Sequence, residues 1–127
     1  MAKDATRKGG WDLAEHVDRL IEFREARDWQ QFHRPKELAA ALAIEAAELQ
    51  ELFLWRDAES AEVVAGDVPR MEKIRQEIAD VAIFLVMLAH DLGIDLPAAL
   101  AEKIASNEKR YPVDQHKGVA WKADHPE

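Results

Sequence analysis

Residues Pro69 to Leu92 read PRMEKIRQEIADVAIFLVMLAHDL, and the fold turns on how this stretch is read. Met71, Ile74, Ile78, Val81, Leu85 and Leu88 recur at intervals of three and four, the spacing of one face of an α-helix. From Val81 to Ala89 the segment is apolar nearly all round, so this helix is expected to be central and covered on several sides. Asp67 is suited to cap its start and Gly93 to stop its end.

The same periodicity extends outward in both directions. A first helix is expected from about Trp11 to Arg27, where Leu13, Val17, Leu20 and Ile21 keep the three-and-four rhythm. Asp28 to Arg34 form a connection, and Pro35 suits the first turn of a second helix, where its missing N–H has no intrahelical partner to lose. That helix is expected to run to about Trp55, with Leu38, Leu42, Leu49 and Leu52 on one stripe. Arg56 to Val68 is acidic, rich in small residues and reads as a flexible loop. Asp95 is placed to cap a fourth helix ending near Asn107, and from Pro112 the chain reads as a loose tail. No alternating run supports a sheet, so the fold class is all-α, with a domain over residues 11–111 between a flexible N-terminus at 1–10 and the tail at 112–127.

The composition limits the function classes. With 17 Lys and Arg against 25 Asp and Glu, the net charge of -8 argues against gripping a nucleic acid polymer. A small phosphate-bearing ligand remains compatible if metal ions supply positive charge. The absence of cysteine removes a thiol nucleophile and a disulfide scaffold. The run Val81 to Ala89 is far short of the roughly 20 apolar residues of a membrane helix, and Met1 to Gly10 lack a secretion-like hydrophobic region. A cytoplasmic location is expected, with no membrane partner.

Glu45 lies between Leu42 and Leu49 on the stripe of the second helix, where the pattern calls for apolar contact. Glu48 follows three residues on, close enough on a helix surface for both carboxyls to point in a similar direction. The central helix repeats the device with Glu77 and Asp80, ahead of Phe84 and Met87. Acidic pairs at this spacing also occur on many solvated helix faces. Two such pairs bordering apolar stripes, however, cost stability unless something positive sits between them. The donors are all oxygens, and neither pair carries the histidine at i+3 that di-iron bundles use. Hard oxygen ligands favour Mg²⁺, with Mn²⁺ able to substitute, and Mg²⁺ keeps positions open for water and phosphate.

A nucleotide would need further contacts. Lys103, Asn107, Arg110 and Tyr111 can share one face around the end of the fourth helix, with Lys103 and Arg110 suited to phosphate oxygens. The plainer role for those two cations is to complement a helix C-terminus. Trp29, Phe32 and His33 cluster before the second helix and Trp55 marks its expected end. Flat rings of this kind can stack a base, although core packing is the commoner fate of any one tryptophan.

With these residues in view, the chain resembles the MazG-like all-α nucleoside triphosphate pyrophosphohydrolases, through Glu45-Ala-Ala-Glu48 followed by Glu77-Ile-Ala-Asp80. The runs from Arg27 to His33, from Glu51 to Trp55 and from Arg110 to Pro112 are most similar to the dCTP pyrophosphatase branch. The resemblance implies a four-helix MazG-like bundle completed by oligomerisation, as a homo-oligomeric dimer or tetramer. It implies Mg²⁺ on Glu45, Glu48, Glu77 and Asp80, with Glu48 helping to deprotonate the attacking water. Trp29 and Trp55 would border the base, with Phe84 at a substrate-facing position, while Lys103, Asn107, Arg110 and Tyr111 would address sugar and phosphates. Leu20 and Phe84 stand where animal dCTP pyrophosphatases carry His and Tyr, so both lose a polar group. The implied activity converts dCTP or a related pyrimidine nucleotide to monophosphate and pyrophosphate. Phosphoribosyl-ATP pyrophosphohydrolase and a non-enzymatic helical assembly or metal-binding module are the alternatives.

Overall fold

The computed structural model describes residues 13–120. The expected flexible segment at 1–10, the helix start at Trp11 and the end of the tail from Trp121 lie outside the described residues. Among the described residues, all regular structure is helical: α1 (Ala14–Ala26), α2 (Pro35–Glu51), α3 (Ala61–Gly66), α4 (Val68–Asp91), α5 (Leu96–Arg110) and α6 (Val113–His116). The all-α expectation is borne out.

The chain forms two compact units that divide after Gly93. In the first, α4 packs against α1, α2 and α3, with the α2 contact the most extensive. Helix α4 as a whole thus has neighbours on several sides, but its nearly all-apolar stretch is covered less fully than its composition predicts, because Ile83 and Leu85 remain 37% and 39% exposed. Among the described residues, the buried apolar side chains are Leu38 of α2, which is fully buried, and Ile74, Met87 and Ala89 of α4. Two arginines share that burial: Arg24 of α1 and Arg70 of α4. The second unit contains α5 and α6.

Local chemistry sets the helix ends. Asp67 accepts from the Arg70 backbone N–H at 3.3 Å and Pro69 occupies the first turn of α4. Asp95 accepts from the Ala98 N–H at 3.0 Å to start α5. Gly93, at φ 65, ends α4 in the left-handed conformation that glycine adopts without a Cβ penalty. Pro35 opens α2, whose ladder begins with Leu38 N–H donating to the Arg34 carbonyl at 2.9 Å.

Four features of the described residues depart from the sequence reading. Helix α2 stops at Glu51 and not near Trp55. The Leu52 carbonyl accepts instead from Arg70 Nε of α4 at 2.9 Å, and Trp55 turns into the left-handed region at φ 61. The loop expected from Arg56 to Val68 contains α3, a short helix started by Ser60 Oγ accepting from Val63 N–H at 3.3 Å. At the other end of the chain, α5 continues to Arg110, past Asn107, and the segment after Pro112 includes the single turn of α6.

Candidate active site

α2 and α4 form the principal helix pair of the first unit, and each carries one acidic pair. Their packing brings together Glu45, Glu48 and Glu77, whose carboxylate oxygens all lie within 4.8 Å of one another. Glu45 and Glu77 are half-buried, and Glu48 is exposed. One oxygen of Glu45 and one of Glu77 are buried without a hydrogen-bond partner. Asp80 is not within that cluster of three, though its charge reaches Glu45.

Burial pushes the Glu45 carboxyl from 4.5 up to about 7, followed by a hydrogen bond and like charge from Glu48, the charge of Asp80 and a hydrogen bond from Glu77. Carboxylates this close cannot all ionise cheaply without a compensating cation. The donor set fits a divalent cation on two observations: every candidate ligand atom is a hard oxygen, and two of the carboxylates present buried oxygens that no protein donor satisfies.

The other residues read from the sequence are distributed as follows. Trp29 lies just after α1, 42% exposed, with its ring edge-on to Phe23 at 5.7 Å and to His33 at 6.1 Å. Trp55 is 99% exposed. Phe84 is half-buried on α4, one turn beyond Asp80. Leu20 lines a cavity of about 510 Å³ between α1 and α4, with His16, Phe23, Ala82, Ile83 and Val86. In the second unit Lys103 is exposed and Asn107 half-buried, and the Asn107 carbonyl accepts from Tyr111 N–H at 2.8 Å. Arg110 lies 5.4 Å from the Tyr111 ring, which meets His116 edge-on at 5.1 Å. The structure therefore joins three of the four expected metal ligands.

Two buried arginines escaped the sequence reading. Arg24 makes a two-pronged bond to Asp91, its Nη1 and Nη2 at 2.7 and 2.8 Å from the carboxylate oxygens. Arg70 holds the segment after α2 through Leu52 and Glu59. A signal for Arg70 was present: a cation in the first turn of a helix opposes the helix dipole and calls for a specific partner.

The fold and the acidic cluster define an all-α protein with a carboxylate site able to hold a divalent cation. The chain belongs to the MazG-like family, whose model matches residues 40–125. It is 40% identical over 109 residues to dCTP pyrophosphatase 1 of Bos taurus, a match covering 85% of this chain and 64% of that protein. The human protein of the same name is 44% identical over 102 residues, covering 78% of this chain and 59% of the relative. The chain thus spans somewhat less than two-thirds of the length of these curated relatives. A pyrophosphatase crystal structure from Archaeoglobus fulgidus superposes with a TM-score of 0.72 at 39% identity, covering 79% of this chain and 92% of that one.

Proposed function

We propose that this chain is a divalent-metal-dependent nucleoside triphosphate pyrophosphohydrolase that takes dCTP or a related pyrimidine nucleotide to its monophosphate and pyrophosphate. The observation that carries the reading is the convergence of Glu45, Glu48 and Glu77, two of them with unsatisfied buried oxygens, in a chain similar to dCTP pyrophosphatases. Glu45, Glu48, Glu77 and Asp80 would hold Mg²⁺, or Mn²⁺ in its place. Such a cation supplies charge for phosphate oxygens and lowers the pKa of water.

Glu48 is the exposed member of the cluster, so its carboxyl is the one best placed to meet a solvent water. It takes that water's proton as the oxygen bonds to the α-phosphorus. The bond from the α-phosphorus to the bridging oxygen breaks, and pyrophosphate leaves with the electron pair. Trp29, Trp55 and Phe84 border the base, and Lys103, Asn107, Arg110 and Tyr111 address sugar and phosphates. Relatives named as pyrophosphatases favour this reading over a non-enzymatic module.

A homo-oligomer, dimer or tetramer, is part of the same proposal. Phe23, Ile78, Ile83 and Leu85 remain more than one-third exposed on α1 and α4, and a second copy would cover such a surface. No single described helix is long and apolar enough to cross a membrane, and a cytoplasmic location fits a free nucleotide substrate.

Glu48→Gln tests the assignment. Its circular dichroism and unfolding should match the wild type while release of pyrophosphate from dCTP disappears. Near-normal turnover would remove Glu48 from the chemistry.

A further inference from the structure

We infer that Arg70 is a positioning residue that clamps the loop after α2 and so holds the Trp55 indole out for the nucleotide. The inference rests on the proposed reading of Trp55 as a base contact and adds what fixes that contact in place. Arg70 is 7% exposed, and its guanidinium is engaged on three sides. Nε donates to the Leu52 carbonyl at 2.9 Å, Nη1 donates to Glu59 Oε1 at 3.0 Å, and the central carbon lies 5.0 Å from the Phe53 ring centroid. One side chain of α4 thereby grips both ends of the segment between Leu52 and Glu59. Arg56 adds outer ties, to Glu59 at 3.7 Å and to Asp67 at 3.8 Å.

Trp55 sits between those grips with two properties that oppose each other. Its backbone is in the left-handed region at φ 61, which residues with a Cβ rarely adopt. Its side chain is 99% exposed, so burial of the indole does not offset that conformation. A strained, fully displayed aromatic persists where its surroundings over-determine it, and such positions cluster at binding sites. The Arg70 grip is the over-determining element: by taking the Leu52 carbonyl it also ends α2 at Glu51, only three residues beyond Glu48. The display of Trp55 and the termination of the helix that carries Glu45 and Glu48 therefore share one cause.

The test uses the full chain carrying 5-fluorotryptophan, with Trp55→Phe identifying the Trp55 ¹⁹F resonance. Arg70→Ala and Arg70→Lys should both move that resonance, because lysine keeps a charge for Glu59 but lacks the fork that reaches Leu52. With Mg²⁺ and dCTP, Arg70→Ala and Trp55→Ala should each raise KM about tenfold, the scale of one base stack, and leave kcat near wild type. The double variant should be no worse than Trp55→Ala alone. If Arg70→Ala does not fold, Arg70→Lys carries both readouts. An unmoved Trp55 resonance overturns the clamp, whatever the kinetics. Additive KM effects overturn the claim that Arg70 acts through Trp55. A moved resonance with an unchanged KM in Trp55→Ala overturns the nucleotide contact itself and leaves Trp55 to a protein interface.

Discussion

Glu45 of α2 and Glu77 of α4 bring carboxylate oxygens within 4.8 Å of each other across a helix interface, and each also buries one oxygen without a hydrogen-bond partner. In a purely structural interface this juxtaposition is a defect, because like charges repel and unsatisfied acceptors carry a desolvation cost. Glu77→Gln should therefore raise the melting temperature in the presence of EDTA. The same change should lower Mg²⁺-dependent turnover on the order of 100-fold or more. Melting curves and product assays on the one variant check both halves.

The proton affinity of Glu45 gives a pH signature. Its carboxyl is held at about 7, above the ordinary 4.5, chiefly by burial. Its contribution to stability in EDTA is then full below about 4.5 and is lost as the pH rises through about 7. The melting temperature of the wild type should fall over that window relative to Glu45→Gln. Mg²⁺ must displace the proton to use the carboxylate, so calorimetric titrations near neutral pH should show proton release that depends on the buffer's ionisation enthalpy.

Asp91 should behave in the opposite sense. Hydrogen bonds from Arg24 lead the causes that hold its carboxyl below the usual aspartate value, and Arg24 is correspondingly raised by Asp91. The stability this pair contributes is present above the unfolded aspartate value and fades as the pH falls below it. Asp91→Asn leaves Arg24 buried and uncompensated, at a cost of about 3 kcal/mol in urea unfolding.

Leu38 is 1% exposed. Leu38→Ala should destabilise by about 3 kcal/mol, while the folded fraction keeps its kcat, because Leu38 shares α2 with Glu45 but lies outside the acidic cluster.

How much of this was readable beforehand depended on the range of each interaction. The periodicity of α4 and the caps Asp67, Asp95 and Gly93 are local, and the sequence displays them directly. Glu45 was conspicuous because it interrupts an apolar stripe, and the acidic pair on α4 completed the pattern. The end of α2 was hidden, since the carbonyl of Leu52 just past it is satisfied by Arg70, eighteen residues away. Arg24 and Asp91 are 67 residues apart, and nothing in either local pattern couples them. Helical spacing placed Asp80 beside Glu77, but spacing alone does not fix where a carboxylate oxygen finally lies, and Asp80 falls outside the cluster of three.

The most direct test of the account is to incubate the purified chain with Mg²⁺ and dCTP, then resolve the products by ion-exchange chromatography. Equal amounts of dCMP and pyrophosphate, abolished by EDTA and by Glu45→Gln, are predicted. Release of dCDP and orthophosphate, or turnover that survives EDTA, would contradict it.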